Sequence, residues 1–160
     1  MAPELRDNPA ATTLAAGFFQ PFSDTRIFQR DSTGEAAIPL SRVGTEPALA
    51  RFRVSFVMNE AGAVLSQKTL ESNLTVSFPP TLQVRTDSGM NYRRVRVSYY
   101  DQSGQELARW QSARFAVGEV FLAAGQSNAA THGETMQISR VAMNRMVNPT
   151  NQAWLPLRDP

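Results

Sequence analysis

The stretch Arg51-Phe52-Arg53-Val54-Ser55-Phe56-Val57-Met58 alternates apolar and polar side chains without a break. That period of two belongs to a β-strand, with Phe52, Val54, Phe56 and Met58 on one face and Arg51, Arg53 and Ser55 on the other. A slip of one residue would carry both arginines to the apolar side. The facing expected is therefore Phe52, Val54, Phe56 and Met58 inside, with Arg51 and Arg53 outside.

The same period spreads outward in both directions. Leu74-Thr75-Val76-Ser77-Phe78 alternates and stops at Pro79-Pro80, where a ladder would lose its donors. Thr81 to Arg85 is a further short strand. Tyr92 to Tyr100 sets Arg93, Val95, Val97 and Tyr99 against Tyr92, Arg94, Arg96 and Ser98. Leu107 to Val117 can place Leu107, Ala113, Phe115 and Val117 on one buried face. Between these runs stand Asp31-Ser32-Thr33-Gly34, Asn59-Glu60-Ala61-Gly62, Asp87-Ser88-Gly89 and Asp101-Gln102-Ser103-Gly104. Each closes on a glycine able to take positive φ. Short strands at this spacing predict a mainly β chain, with an antiparallel β-sandwich over residues 20–117. Residues 1–19 show no period and are expected to form a loosely packed amino-terminal arm.

Composition sets the outer bounds. The chain has 160 residues, 42% of them hydrophobic, and a formal net charge of +2. A chain of this length can hide roughly 70% of its unfolded surface, enough for a core without cross-links. Cysteine is absent, which removes disulfides, thiolate metal sites and cysteine nucleophiles from consideration. The arginines are scattered in ones and twos, so no basic stripe for nucleic acid is formed. No apolar run reaches the roughly 20 residues of a membrane span. The amino end, Met-Ala-Pro-Glu-Leu-Arg-Asp-Asn-Pro, lacks the apolar centre of a signal peptide. A single His and scattered carboxylates predict no metal site. Nothing in the sequence sets the oligomeric state.

From Val117 the pattern changes. Val117-Gly118-Glu119-Val120-Phe121-Leu122-Ala123-Ala124-Gly125 is an apolar run, the mark of a strand buried on both faces. Gly125-Gln126-Ser127-Asn128 follows it. A tight turn after such a strand exposes a serine hydroxyl and aims backbone amides at a developing oxyanion. A Gly-x-Ser at a strand end is by itself more often a helix cap or a turn.

The longer string is more specific. Residues 117–128, Val-Gly-Glu-Val-Phe-Leu-Ala-Ala-Gly-Gln-Ser-Asn, resemble the first block of the SGNH hydrolases. Within that superfamily the string is most similar to the sialate O-acetylesterase-like carbohydrate esterases. The resemblance continues through His132-Gly133-Glu134 and Trp154-Leu155-Pro156-Leu157-Arg158-Asp159-Pro160. It implies an accessory, jelly-roll-like β-sandwich over residues 20–117, followed at 118–160 by the start of an incomplete α/β esterase domain. It implies Ser127 as the catalytic nucleophile, its own amide as an oxyanion donor, and Gly125, Gln126 and Asn128 around the pocket. The substrate implied is an acetylated carbohydrate, with no cofactor, no nucleic acid and no membrane as partner. An extracellular or periplasmic setting follows from the same resemblance.

A serine hydroxyl needs an adjacent base. The family's base lies in an Asp-x-x-His segment, and residues 1–160 contain none; the family's further oxyanion donors, a Gly and an Asn from later blocks, are missing as well. The one histidine, His132, stands five positions after Ser127 and is read as a loop or pocket-rim residue. The chain alone is therefore expected to be inactive. The alternative is a non-catalytic carbohydrate-binding or structural β module. Tyr92, Tyr99, Tyr100 and Trp110 could offer platforms to sugar rings, but aromatics in strands are usually core or cross-strand packing. Residues 137–147 fit either an amphipathic helix or an extended segment, and the extended reading is favoured.

Overall fold

The computed structural model describes residues 3–71, 74, 81–85, 91–120, 145–147 and 154–156. The fold is mainly β, and among the described residues the helical part is a 3-10 turn, Ala16–Phe18. The strands are β1 (Thr12–Thr13), β2 (Arg26–Gln29), β3 (Glu35–Pro39), β4 (Phe52–Asn59), β5 (Val64–Glu71), β6 (Thr81–Arg85), β7 (Arg93–Tyr100), β8 (Glu106–Gln111), β9 (Phe115–Gly118), β10 (Arg145–Val147) and β11 (Trp154–Pro156). Among the described residues no helix is long and apolar enough to cross a membrane.

The main sheet runs β1-β8-β7-β4-β5, and β9 joins it beside β7 while pairing β2. β5, β4, β7 and β8 are antiparallel neighbours, as the alternation and the short turns predict. β1 and β2 are the exception, pairing in parallel with β8 and β9. β8 and β9 follow one line along β7, broken at 112–114. Ser112 stitches the break: its amide donates to the Val95 carbonyl and its hydroxyl accepts from the Val95 amide. The run from Leu107 to Val117 is thus two strands rather than one.

A second, two-stranded sheet pairs β3 with β6, setting Ala36 opposite Val84 and Ile38 opposite Leu82. These four side chains share one buried cluster with Val57, Val95, Val97, Tyr99, Trp110 and Phe115. The small sheet therefore lies against one face of the main sheet, and the principal core fills the gap.

β4 corrects the expected facing in one respect. Val54, Phe56 and Met58 are buried as predicted and form a smaller cluster with Tyr100, while Arg51 is exposed. Yet the opposite face of β4, with Val57, looks onto the principal core. Arg53 is only 1% exposed there. Its guanidinium bonds to the Glu46 carboxylate, which also takes Arg42 at 3.4 Å. A central strand is covered on both sides, so its polar face is buried wherever a partner neutralises it.

The expectation of a loose arm over 1–19 is corrected at its carboxyl end. Phe18 and Phe19 are buried, Phe19 completely, with ring centroids 5.2 Å apart. Phe19 meets Trp110 edge-on at 4.7 Å, and the Trp110 indole donates to the Ala16 carbonyl. These contacts join residues far apart in sequence, which local periodicity does not register.

Three turns follow one plan. Gly34, Gly62 and Gly104 take φ of 83°, 87° and 86°, the left-handed conformation that glycine adopts without strain. Their amides donate back to the carbonyls of Asp31, Asn59 and Asp101. The same three side chains accept the amides of Glu35, Ala63 and Gln105. Asp87-Ser88-Gly89 lies outside the described residues.

The two aspartates carry a pH consequence. The Glu35 amide and the Thr33 hydroxyl hold the Asp31 carboxyl below its ordinary value of 3.8, and the Ser103 hydroxyl and Gln105 amide do the same for Asp101. A carboxylate whose pKa falls on folding stabilises the fold above its unfolded pKa, and that contribution fades as pH falls through the folded value. Urea midpoints should therefore decline as acid is added through and below the ordinary aspartate range. The double variant Asp31→Asn, Asp101→Asn should be weaker at neutral pH and flatter in acid. A variant curve parallel to the parent's would show that these turns do not set the acid response.

Candidate functional site

The approach to Gly125-Gln126-Ser127-Asn128 begins at β9. Phe115 is fully buried and meets Phe22 and Phe28 edge-on, at centroid distances of 6.1 and 6.0 Å. This aromatic trio fixes β9 against β2, in the register Arg26–Phe115 to Gln29–Gly118.

Charged pairs close the ladder at both ends. Before the strands, Arg114 grips Asp24: its amide donates at 2.8 Å and its guanidinium at 2.6 Å. The Arg114 guanidinium beside Asp24 holds that carboxyl below the usual range. After the strands the signs reverse, and Arg30 binds Glu119 at 2.6 Å. Gln29 completes this second clamp. Its side-chain nitrogen donates to Glu119 at 2.8 Å, and its oxygen accepts the Val120 amide at 2.6 Å. Hydrogen bonds from Gln29 first, then Arg30, lower the Glu119 pKa. Solvent screens exposed pairs of this kind, so the clamps set register and exit direction more than stability.

Of the apolar run beginning at Val117, the described residues are 117–120. Val117 is buried, but β9 ends at Gly118, and Val120 is 43% exposed. Ser127, Gly125, Gln126, Asn128 and His132 lie outside the described residues. So do residues 137–144. Residues 145–147 are extended, and Met146 pairs with Leu155 across the antiparallel β10–β11 ladder.

The strand aromatics are core residues, the usual role for aromatics in strands. Tyr92, Tyr99, Tyr100 and Trp110 are between 0% and 6% exposed, and a sugar ring cannot stack on a side chain inside a core. Burial, with the nearby Glu106 charge as a second cause, pushes the Tyr100 phenol up to about 12. Among the described residues no three His, Asp or Glu side chains gather as a metal-holding group.

Sequence reading missed the two clamps, because each joins charges about ninety positions apart. The one local signal was placement: Asp24 and Arg30 flank β2, and Arg114 and Glu119 flank β9. No protein-family model, curated protein or solved structure matches the chain.

Proposed function

We propose that this chain carries the nucleophile-bearing front part of a serine carbohydrate O-acetylesterase. Ser127 is the acyl-forming residue, and the β domain before it is accessory. The observation that carries this reading is the string from Val117 to Asn128. It is supported by position as well, since β9 ends at Gly118 and Gln29, Arg30 and Glu119 hold the chain just where that string begins.

The chemistry follows from the residue types. The Ser127 hydroxyl attacks the acetyl carbonyl while a base takes its proton. The Ser127 amide receives the developing oxyanion. The sugar hydroxyl leaves with the proton, and water then releases acetate from the acyl-enzyme. Gly125, Gln126 and Asn128 shape the pocket, and no cofactor is needed. The base is a histidine from an Asp-x-x-His segment.

Hydrolysis of p-nitrophenyl acetate tests the reading. Residues 1–160 alone should show little turnover, and a version carrying the Asp-x-x-His segment should be active. Robust turnover by residues 1–160 that depends on both Ser127 and His132 would reassign the base to His132. Absence of Ser127-dependent turnover in every version would leave a structural β module as the better reading.

A further inference from the structure

We infer that residues 3–14 form a releasable strap, which opens from the β domain as a unit while Phe18 and Phe19 stay in the core. The strap runs beside the outer edge of β8. The Arg6 amide donates to the Gly104 carbonyl, the Glu106 amide to the Arg6 carbonyl, and the Leu14 amide to the Arg109 carbonyl. β1 adds only two paired residues. Its apolar anchors are Leu5 and Leu14, both only partly buried. Segments with few buried apolar contacts open at lower cost than the core they cover.

A buried charge marks the same place. Glu106 is fully buried, and its Oε2 accepts the Asn8 amide at 3.1 Å and the Arg109 guanidinium. Its Oε1 has no hydrogen-bond partner among the described residues. A buried carboxylate oxygen left without a partner forfeits its hydration. Strap opening returns water to it, which lowers the free energy of the open state. Asp7 adds only a 3.5 Å contact to Arg96. Opening uncovers the edge of β8 and the Val54, Phe56, Met58 and Tyr100 patch that Leu5 covers.

Two glycines give a matched test. Gly62 and Gly104 share φ near +87° and +86°, so alanine strains both turns alike. A Cβ at Gly62 meets nothing within 4 Å, whereas one at Gly104 meets the Glu4 carbonyl oxygen at 2.2 Å. Native-state hydrogen exchange should show the Arg6, Leu14 and Glu106 amides exchanging roughly tenfold faster or more in Gly104→Ala than in Gly62→Ala. The β4–β7 ladder amides should exchange alike in the two variants. Strap amides that match between the variants overturn the inference, as does a ladder that speeds up together with the strap in Gly104→Ala. Should either variant fail to fold, exchange of the parent chain in sub-denaturing urea decides. Strap amides must then open with a smaller urea dependence than the ladder, and convergence of all amides on one global opening refutes the strap.

Discussion

On the proposed esterase reading, Ser127→Ala is expected to lower acetyl-ester turnover by about 10⁴- to 10⁶-fold in a version of the protein that carries an Asp-x-x-His base. The size follows from how such a site works. Nucleophile and base act as a unit, so removing the oxygen that forms the acyl-enzyme forfeits nearly all that both contribute. What remains is the oxyanion donor and substrate binding, neither of which supplies a nucleophile. The loss should therefore fall in kcat, with KM little changed. Steady-state kinetics with p-nitrophenyl acetate and an acetylated sugar measure both. A folded, active protein that keeps its rate after Ser127→Ala has its nucleophile elsewhere.

Glu46→Ala should lower the unfolding free energy by about 3 kcal/mol, at the low end of what breaking a buried ion pair costs. Arg53 is 1% exposed on the face of β4 that meets the principal core. Without Glu46 its charge stays in that setting and loses the carboxylate it is bonded to there. An apolar side chain of similar length needs no such partner. Arg53→Met in the Glu46→Ala background should therefore regain part of the loss. A loss of about 3 kcal/mol is a large share of the roughly 5–15 kcal/mol typical of a whole domain. Urea unfolding of the two variants checks this, and a Glu46→Ala midpoint equal to the parent's sinks it.

Much of the β architecture was legible because it is written locally. The tetrads at Asp31, Asn59 and Asp101 announce their turns through an acceptor side chain and a glycine three places on. The alternation in β4, β6 and β7 gave the strands. It did not tell which face of β4 meets the larger core, since that depends on Glu46, a loop residue that neutralises Arg53. The arm was illegible for a related reason. Its order comes from pairing with β8 and from Phe19 against Trp110, partners that no window of a dozen residues contains. For the candidate site, the string around Ser127 gives chemistry from residue types alone, and the described structure ends at Val120 on that approach.

The parallel pairing of β1 with β8 and of β2 with β9 has a consequence for how the chain matures. Strands near the amino end leave the ribosome first, yet their partners are the last strands of the domain to be made. Until Glu106–Gly118 follow, Phe18, Phe19, Phe22 and Phe28 have no Trp110 or Phe115 to pack against. Pairing that spans nearly the whole domain also closes slowly. The strands of this domain made earlier thus settle last, and until then their phenylalanines are exposed to whatever holds nascent chains apart.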